Sequence, residues 1–198
     1  MGQRSQIYVK VTDGEKTGVV ARYFQWNYGE RMVSRARATI EYLKDYIDRY
    51  GVDFLFSYDS NLQKLTRIIE TNFDMRDVAI TSDILEECKE YGFDDIFESQ
   101  DNNDGQLYID VTPEGIKYAF VHGDYSVPLD GDEYMDSDYY IDEEGSWMDK
   151  FRESDYYDEK DLEYTIDNIK YLWNNATIMT SEDVKAFHDF DYTPFITK

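Results

Sequence analysis

The stretch from Asp124 to Asp167, DYSVPLDGDEYMDSDYYIDEEGSWMDKFRESDYYDEKDLEYTID, limits what this chain can fold into more than any other part. Its 44 residues hold 17 Asp or Glu against three Lys or Arg, with seven tyrosines interleaved. Like charges at this density repel, and little aliphatic content is left to build a core. The core must therefore come from the rest of the 198 residues. Over the whole chain the formal charge is -23, yet aromatic residues make up 17% of it. Disordered acidic chains lack the aromatics needed to offset the entropy of ordering, so this chain reads as folded. The expected architecture is a single α+β domain over residues 1–198 with an acidic, Tyr-rich segment at 124–160.

The core-forming runs lie outside that segment. QIYVKV alternates Ile7, Val9 and Val11 on one face with Gln6, Tyr8 and Lys10 on the other, and TDGEKTG is turn chemistry. VVARYFQW returns as a β-branched and aromatic strand, which predicts an N-terminal hairpin. A long helix is expected next, with Met32, Ala36, Ile40, Leu43 and Ile47 in one stripe and Gly51 as its stop. Asn27 and Glu30 have capping-box spacing at its start. VDFLFSY suggests a short strand, and NLQKLTRIIETNF a helix through Leu62, Leu65, Ile68 and Ile69. SDILEECKEYG reads as a capped helix from Ser82 to Gly92, with Cys88 as a buried structural thiol. GQLYIDVTPEGIKYAFVHG predicts a second hairpin near 106–122. Two C-terminal helices follow, one with Leu162, Ile166, Ile169 and Trp173 on a face, the other starting at Thr180 or Ser181.

A net positive balance is confined to the first quarter: residues 1–50 hold nine Lys or Arg and six Asp or Glu. Arg22, Arg31 and Arg35 are candidates for an anion-binding or structural role. Held by the strand and the helix, they would converge on one phosphate or carboxylate, or pair with the protein's own surplus acids.

Several function classes leave no mark. The two histidines, His122 and His188, have no HxH, HExxH or CxxC company, and there is no P-loop, GxSxG or GxGxxG. Calcium loops fail on spacing. Counting from Asp101, position 5 is Gly105 and position 12 is Thr112; counting from Asp130, position 5 is Tyr134. No catalytic residue, metal or cofactor is expected. The N-terminus lacks a signal-peptide core, no apolar run approaches the roughly 18 residues of a membrane span, and one cysteine fits a reducing compartment. The expectation is a cytoplasmic protein.

The segment RSQIYVKV…ARYFQWNYGERMVSRARATIEYL, within the first 50 residues, resembles the opening of small acidic proteins encoded by phages and mobile elements of Gram-positive bacteria. Some proteins of that kind are anti-CRISPR proteins. The resemblance implies a host-defence antagonist that engages a CRISPR effector nuclease with its guide RNA, and it assigns no catalytic residue.

The charge distribution points the same way. A polyanion repels DNA directly but suits the basic groove of a nucleic-acid-binding protein. Asp132, Glu133, Asp136, Asp138, Asp142, Glu143 and Glu144 would meet the partner's Arg and Lys. Tyr134, Tyr139 and Tyr140 would add flat rings where bases lie. The expected function is non-enzymatic inhibition by nucleic-acid mimicry. The alternative is a nuclease that cleaves guide RNA or other RNA through the Arg22/Arg31/Arg35 region.

Overall fold

A computed structural model describes residues 3–57, 59–71, 79–97, 103–124, 126–139 and 145–197, with the side chains of residues 59 and 60 left aside. Strands β1 (Arg4–Thr12) and β2 (Thr17–Gln25) form the first hairpin, and α1 (Gly29–Tyr50) follows. A 3-10 turn (Asp53–Phe56) leads to α2 (Asp59–Ile69), β3 (Ile80–Asp83) and α3 (Ile84–Tyr91). The second hairpin is β4 (Gln106–Thr112) and β5 (Gly115–Val121). Helices α4 (Gly131–Asp138), α5 (Trp147–Glu153) and α6 (Glu159–Asn175) come next. The chain closes through β6 (Thr177–Ile178), α7 (Ser181–His188) and α8 (Thr193–Ile196).

The six strands form one mixed sheet in the order β3-β2-β1-β4-β5-β6. The two hairpins join through a parallel pairing of β1 with β4, which sets Tyr8 opposite Tyr108 and Val9 opposite Ile109. Parallel neighbours need a long crossover; here the chain from β2 to β4 supplies it. The protein is thus α+β, with the N-terminal hairpin on a long helix and the C-terminal helices as expected.

Both faces of the sheet are covered. Ile7, Val9, Val11, Leu107, Ile109 and Phe120 pack against α1, α2, α4, α5 and α6. On the opposite face Tyr8, Tyr108, Ala119 and Val121 pack beneath α3, α7 and α8. The expectation of a polar outer face on β1 is therefore corrected: Gln6, Tyr8 and Lys10 are buried. Burial of polar groups demands partners, and they have them. Tyr8 donates to Gln6 Oε1 at 2.9 Å and to the Ile96 carbonyl at 3.0 Å, and Gln106 also donates to Gln6. Lys10 pairs with Asp110 at 3.3 Å under the rings of Phe187 and Phe190, each 4.9 Å away.

Three local expectations differ from the structure. The 53–56 run is a 3-10 turn, not a strand. Asp83 rather than Ser82 caps α3, accepting from the Leu85 and Glu86 amides. Asn27 does not cap α1: Tyr28 is the N-cap residue, and Asn27 is buried, donating to Ser5 and accepting from Arg35. Gly51 ends α1 as the spacing predicts, with a φ of 82° that favours glycine.

Candidate functional site

The acidic segment is not one uncovered strip. Its first half folds inward as α4. Asp130 caps this helix by accepting from the Asp132 and Glu133 amides, while Glu133 reaches back to the Asp130 amide at 2.9 Å. Asp132 accepts from Trp147 Nε1 at 2.7 Å and Asp136 from the Trp147 amide at 2.8 Å, so two carboxylates of α4 seat the buried tryptophan that opens α5. Tyr134 is fully buried, stacked on Phe120 with centroids 4.6 Å apart, and donates to the Asp104 carbonyl at 2.8 Å. Tyr139 donates to Glu30 Oε2 at 3.0 Å. The expectation that Tyr134 and Tyr139 present rings to a partner is corrected, because both complete the intramolecular core. Of the predicted set, Glu133 is exposed, whereas Asp132, Asp136 and Asp138 are partly buried. Tyr140, Asp142, Glu143 and Glu144 lie outside the described residues.

The arginines do converge, but on the protein itself. Arg35 is fully buried over the Phe24 ring, donating to the Ile69 carbonyl at 2.8 Å and the Thr71 carbonyl at 2.7 Å. Arg22 pairs with Glu70 and with Asp83 at 3.0 Å. Both guanidinium groups thus gather at the C-terminal end of α2, where the helix dipole and the last carbonyls favour cations. Arg31 donates to the Trp26 carbonyl at 2.9 Å and lies over the Tyr28 ring. Arg37 donates to Asn168 at 2.8 Å and stacks on Tyr171, tying α1 to α6. Arg22 and Arg35 therefore make structural contacts, and both are buried.

The second half of the segment has the opposite character. From Glu153 to Asp167 the sequence holds seven acids and a single cation, Lys160. Glu153, Asp155, Asp158, Glu159, Glu163 and Asp167 are exposed, and none forms an ion pair among the described residues. Along α6 the residues Leu162, Thr165, Asn168, Ile169 and Leu172 face the core. The helical period therefore sends Glu159, Glu163 and Asp167 outward in one row, about 6 Å apart along the axis. Two rings accompany them: Tyr156 is 85% exposed and Tyr164 48%. Trp173, half exposed near the end of α6, donates to Asp130 at 3.0 Å.

Comparison with protein-family models, with curated proteins and with solved structures returns no match. Function must be read from this geometry.

The two histidines sit in different settings. His122 contacts Ser137 Oγ at 2.8 Å and the Asn103 carbonyl at 3.2 Å. His188 is held at 2.6 Å from the Tyr108 hydroxyl with its ring stacked on Phe97, and burial pushes its pKa down. It borders an open cleft of about 810 Å³ between α7 and the loop after β5. Among the described residues no three His, Cys, Asp or Glu side chains converge in a metal-holding arrangement, and no helix is long and apolar enough to cross a membrane.

Among the acids, Asp138 stands out. It is partly buried at the end of α4 against Gly29, the first residue of α1. Burial first, then the neighbouring Asp104 and Glu30 carboxylates, push it up to about 8, against the opposing pull of a hydrogen bond with the Gly29 backbone. Glu30 is raised by burial too, although Tyr139 and Tyr157 both donate to it at 3.0 Å. Nothing in the sequence marks this cluster, because its three carboxyl groups are 34 to 108 residues apart along the chain.

Proposed function

We propose that this protein is a non-enzymatic inhibitor that occupies the basic nucleic-acid groove of another protein by imitating a polynucleotide. The observation that carries the reading is the acidic stretch from the end of α5 along α6: six exposed acids without an ion pair among the described residues, with Tyr156 and Tyr164 among them. A duplex carries one phosphate per about 3.4 Å of axis on each strand. Carboxylates every 6 Å along α6 reach roughly half that density, and Glu153, Asp155 and the capping Asp158 add exposed acids just ahead of the helix. Exposed rings supply interface area at low entropic cost. This reading uses the face at 153–167 rather than the α4 carboxylates, of which Asp132 and Asp136 hold Trp147.

The resemblance to phage-encoded acidic proteins makes a CRISPR effector nuclease with its guide RNA the partner to try first, in a bacterial cytoplasm. An RNA-cleaving role finds no support in the arginines, since Arg22 and Arg35 are committed inside the fold. The test is a DNA-binding assay of the effector–guide complex with increasing amounts of this protein. Loss of DNA binding that weakens as salt rises supports the proposal. Undiminished DNA binding at micromolar inhibitor, or cleavage of labelled guide RNA by the pure protein, rejects it.

A further inference from the structure

Three carboxyl groups from three parts of the chain lie near enough to act on one another through space where the end of α4 touches the start of α1. Glu30 comes from α1, Asp104 from the turn before β4 and Asp138 from the last position of α4. Asp138 Oδ1 is buried and has no hydrogen-bond partner, and no cation pairs with Asp138 among the described residues. The charged and titrating groups around it come from several elements, beginning with Arg4 of β1, whose amide donates to Asp104 Oδ2. On α1 they are Tyr28 and Arg31, the latter 4.0 Å from Glu30. From α4 and its end come Tyr134 and Tyr139; Tyr157 comes from the loop before α6, and His122, edge-on to Tyr134, from the end of β5. The phenols are raised above their ordinary value by burial, so they stay protonated through mildly alkaline pH.

Two physical effects oppose each other at Asp138. The start of α1 lacks a side-chain cap of its own, and an anion beside its first amides would gain about 0.3–2 kcal/mol from the helix dipole. Loss of solvent and two acidic neighbours outweigh that gain, so the group sits at this seam as a neutral acid near neutral pH.

We propose that the α4–α1 seam is a proton-operated latch: Asp138 closes it when protonated, and its ionisation beside Glu30 and Asp104 forces the end of α4 away from α1. Release of α4 also disturbs Tyr139 and Tyr157, whose hydroxyls share Glu30 and lie 3.4 Å apart. Tyr157 fixes the loop that carries Asp155, Tyr156 and Asp158, so the latch sets the position of half of the acidic face. The latch does not depend on which partner that face meets.

The test is a carbon-13 NMR titration of the aspartate carboxyls in the full chain. It is paired with amide hydrogen exchange from pH 6 to 9.5, corrected for the intrinsic chemical rate. Asp138 is expected to titrate near 8. Amides of α4 and the first turn of α1 should lose protection at least tenfold across that midpoint, while β1 and β4 stay protected. Asp138→Asn should hold the seam shut throughout. Glu30→Gln should lower the Asp138 midpoint by removing one neighbouring charge. A midpoint for Asp138 below 5 overturns the proposal. So does a raised midpoint with flat protection, or an Asp138→Asn protein that loosens in step with the unmodified one.

Discussion

Arg35 shows how a single side chain organises this fold. Its guanidinium is fully buried over Phe24 and satisfies Asn27 Oδ1 and two carbonyls at the end of α2. A lysine cannot match that fork, and the carbonyls it leaves unpaired are costly in a dry site. Arg35→Lys should destabilise the protein by about 2–3 kcal/mol and Arg35→Ala by more, read as a lower midpoint in urea unfolding. Gly105 is constrained differently. Its φ is 87°, and an added Cβ would lie 2.6 Å from the Val121 carbonyl oxygen. Gly105→Ala should cost about 2–3 kcal/mol in the same assay. Asp138 makes stability depend on pH with a definite sign. Its folded pKa of about 8 lies above its ordinary 3.8, so the unfolded chain gives up the proton first. Its stabilising contribution is complete below the ordinary value and is lost as pH rises through the folded one. Asp138→Asn should therefore match the unmodified protein near pH 4 and exceed it increasingly from pH 5 to 9 in unfolding midpoint. None of these three roles was legible in the sequence. Arg35 could be recognised as an unusual cation, but its acceptors on α2 are more than 30 residues away.

At the scale of elements, legibility followed the locality of the signal. Both hairpins and α1 were readable because β-branched alternation, turn residues and the Met32–Ile47 stripe are all local patterns. The apolar run Asp53–Phe56 was not, since four residues cannot separate strand from 3-10 turn. The parallel β1–β4 pairing carries no local mark at all. Helix α4 was hidden by its charge, although Asp130 and Glu133 already stood at capping-box spacing. High acidity suggested solvent, whereas Asp132 and Asp136 are bound to Trp147. The Asp130 cap gives a test of whether that inward helix depends on its ends. Asp130→Ala removes the carboxylate that accepts from the Asp132 and Glu133 amides and from Trp173 Nε1. It should cost about 1–2 kcal/mol and raise amide exchange through α4 before the sheet responds.

For the whole molecule, a formal charge of -23 is both the source of the proposed activity and a load on the folded state. Self-repulsion among exposed acids destabilises a compact chain and is screened by salt. The melting temperature should therefore rise between 20 and 300 mM sodium chloride, by a few degrees for each kcal/mol of repulsion relieved. The same property allows the α6 face to be tested without confusing lost binding with lost fold. Glu153, Asp155, Glu163 and Asp167 are exposed and unpaired among the described residues. Reversing all four to Lys breaks no ion pair and removes repulsion, so the variant should be at least as stable as the original. If this face steers the protein to a cationic groove, the same variant should bind its partner at least tenfold more weakly, chiefly through slower association, and its remaining affinity should depend less on salt. Reversal of Asp132 and Asp136, by contrast, should lower stability through the loss of the Trp147 contacts. A folded α6 variant with unchanged association would show that the negative row is only a solvated surface, whereas its slow association with intact stability would separate recognition from folding on one helix.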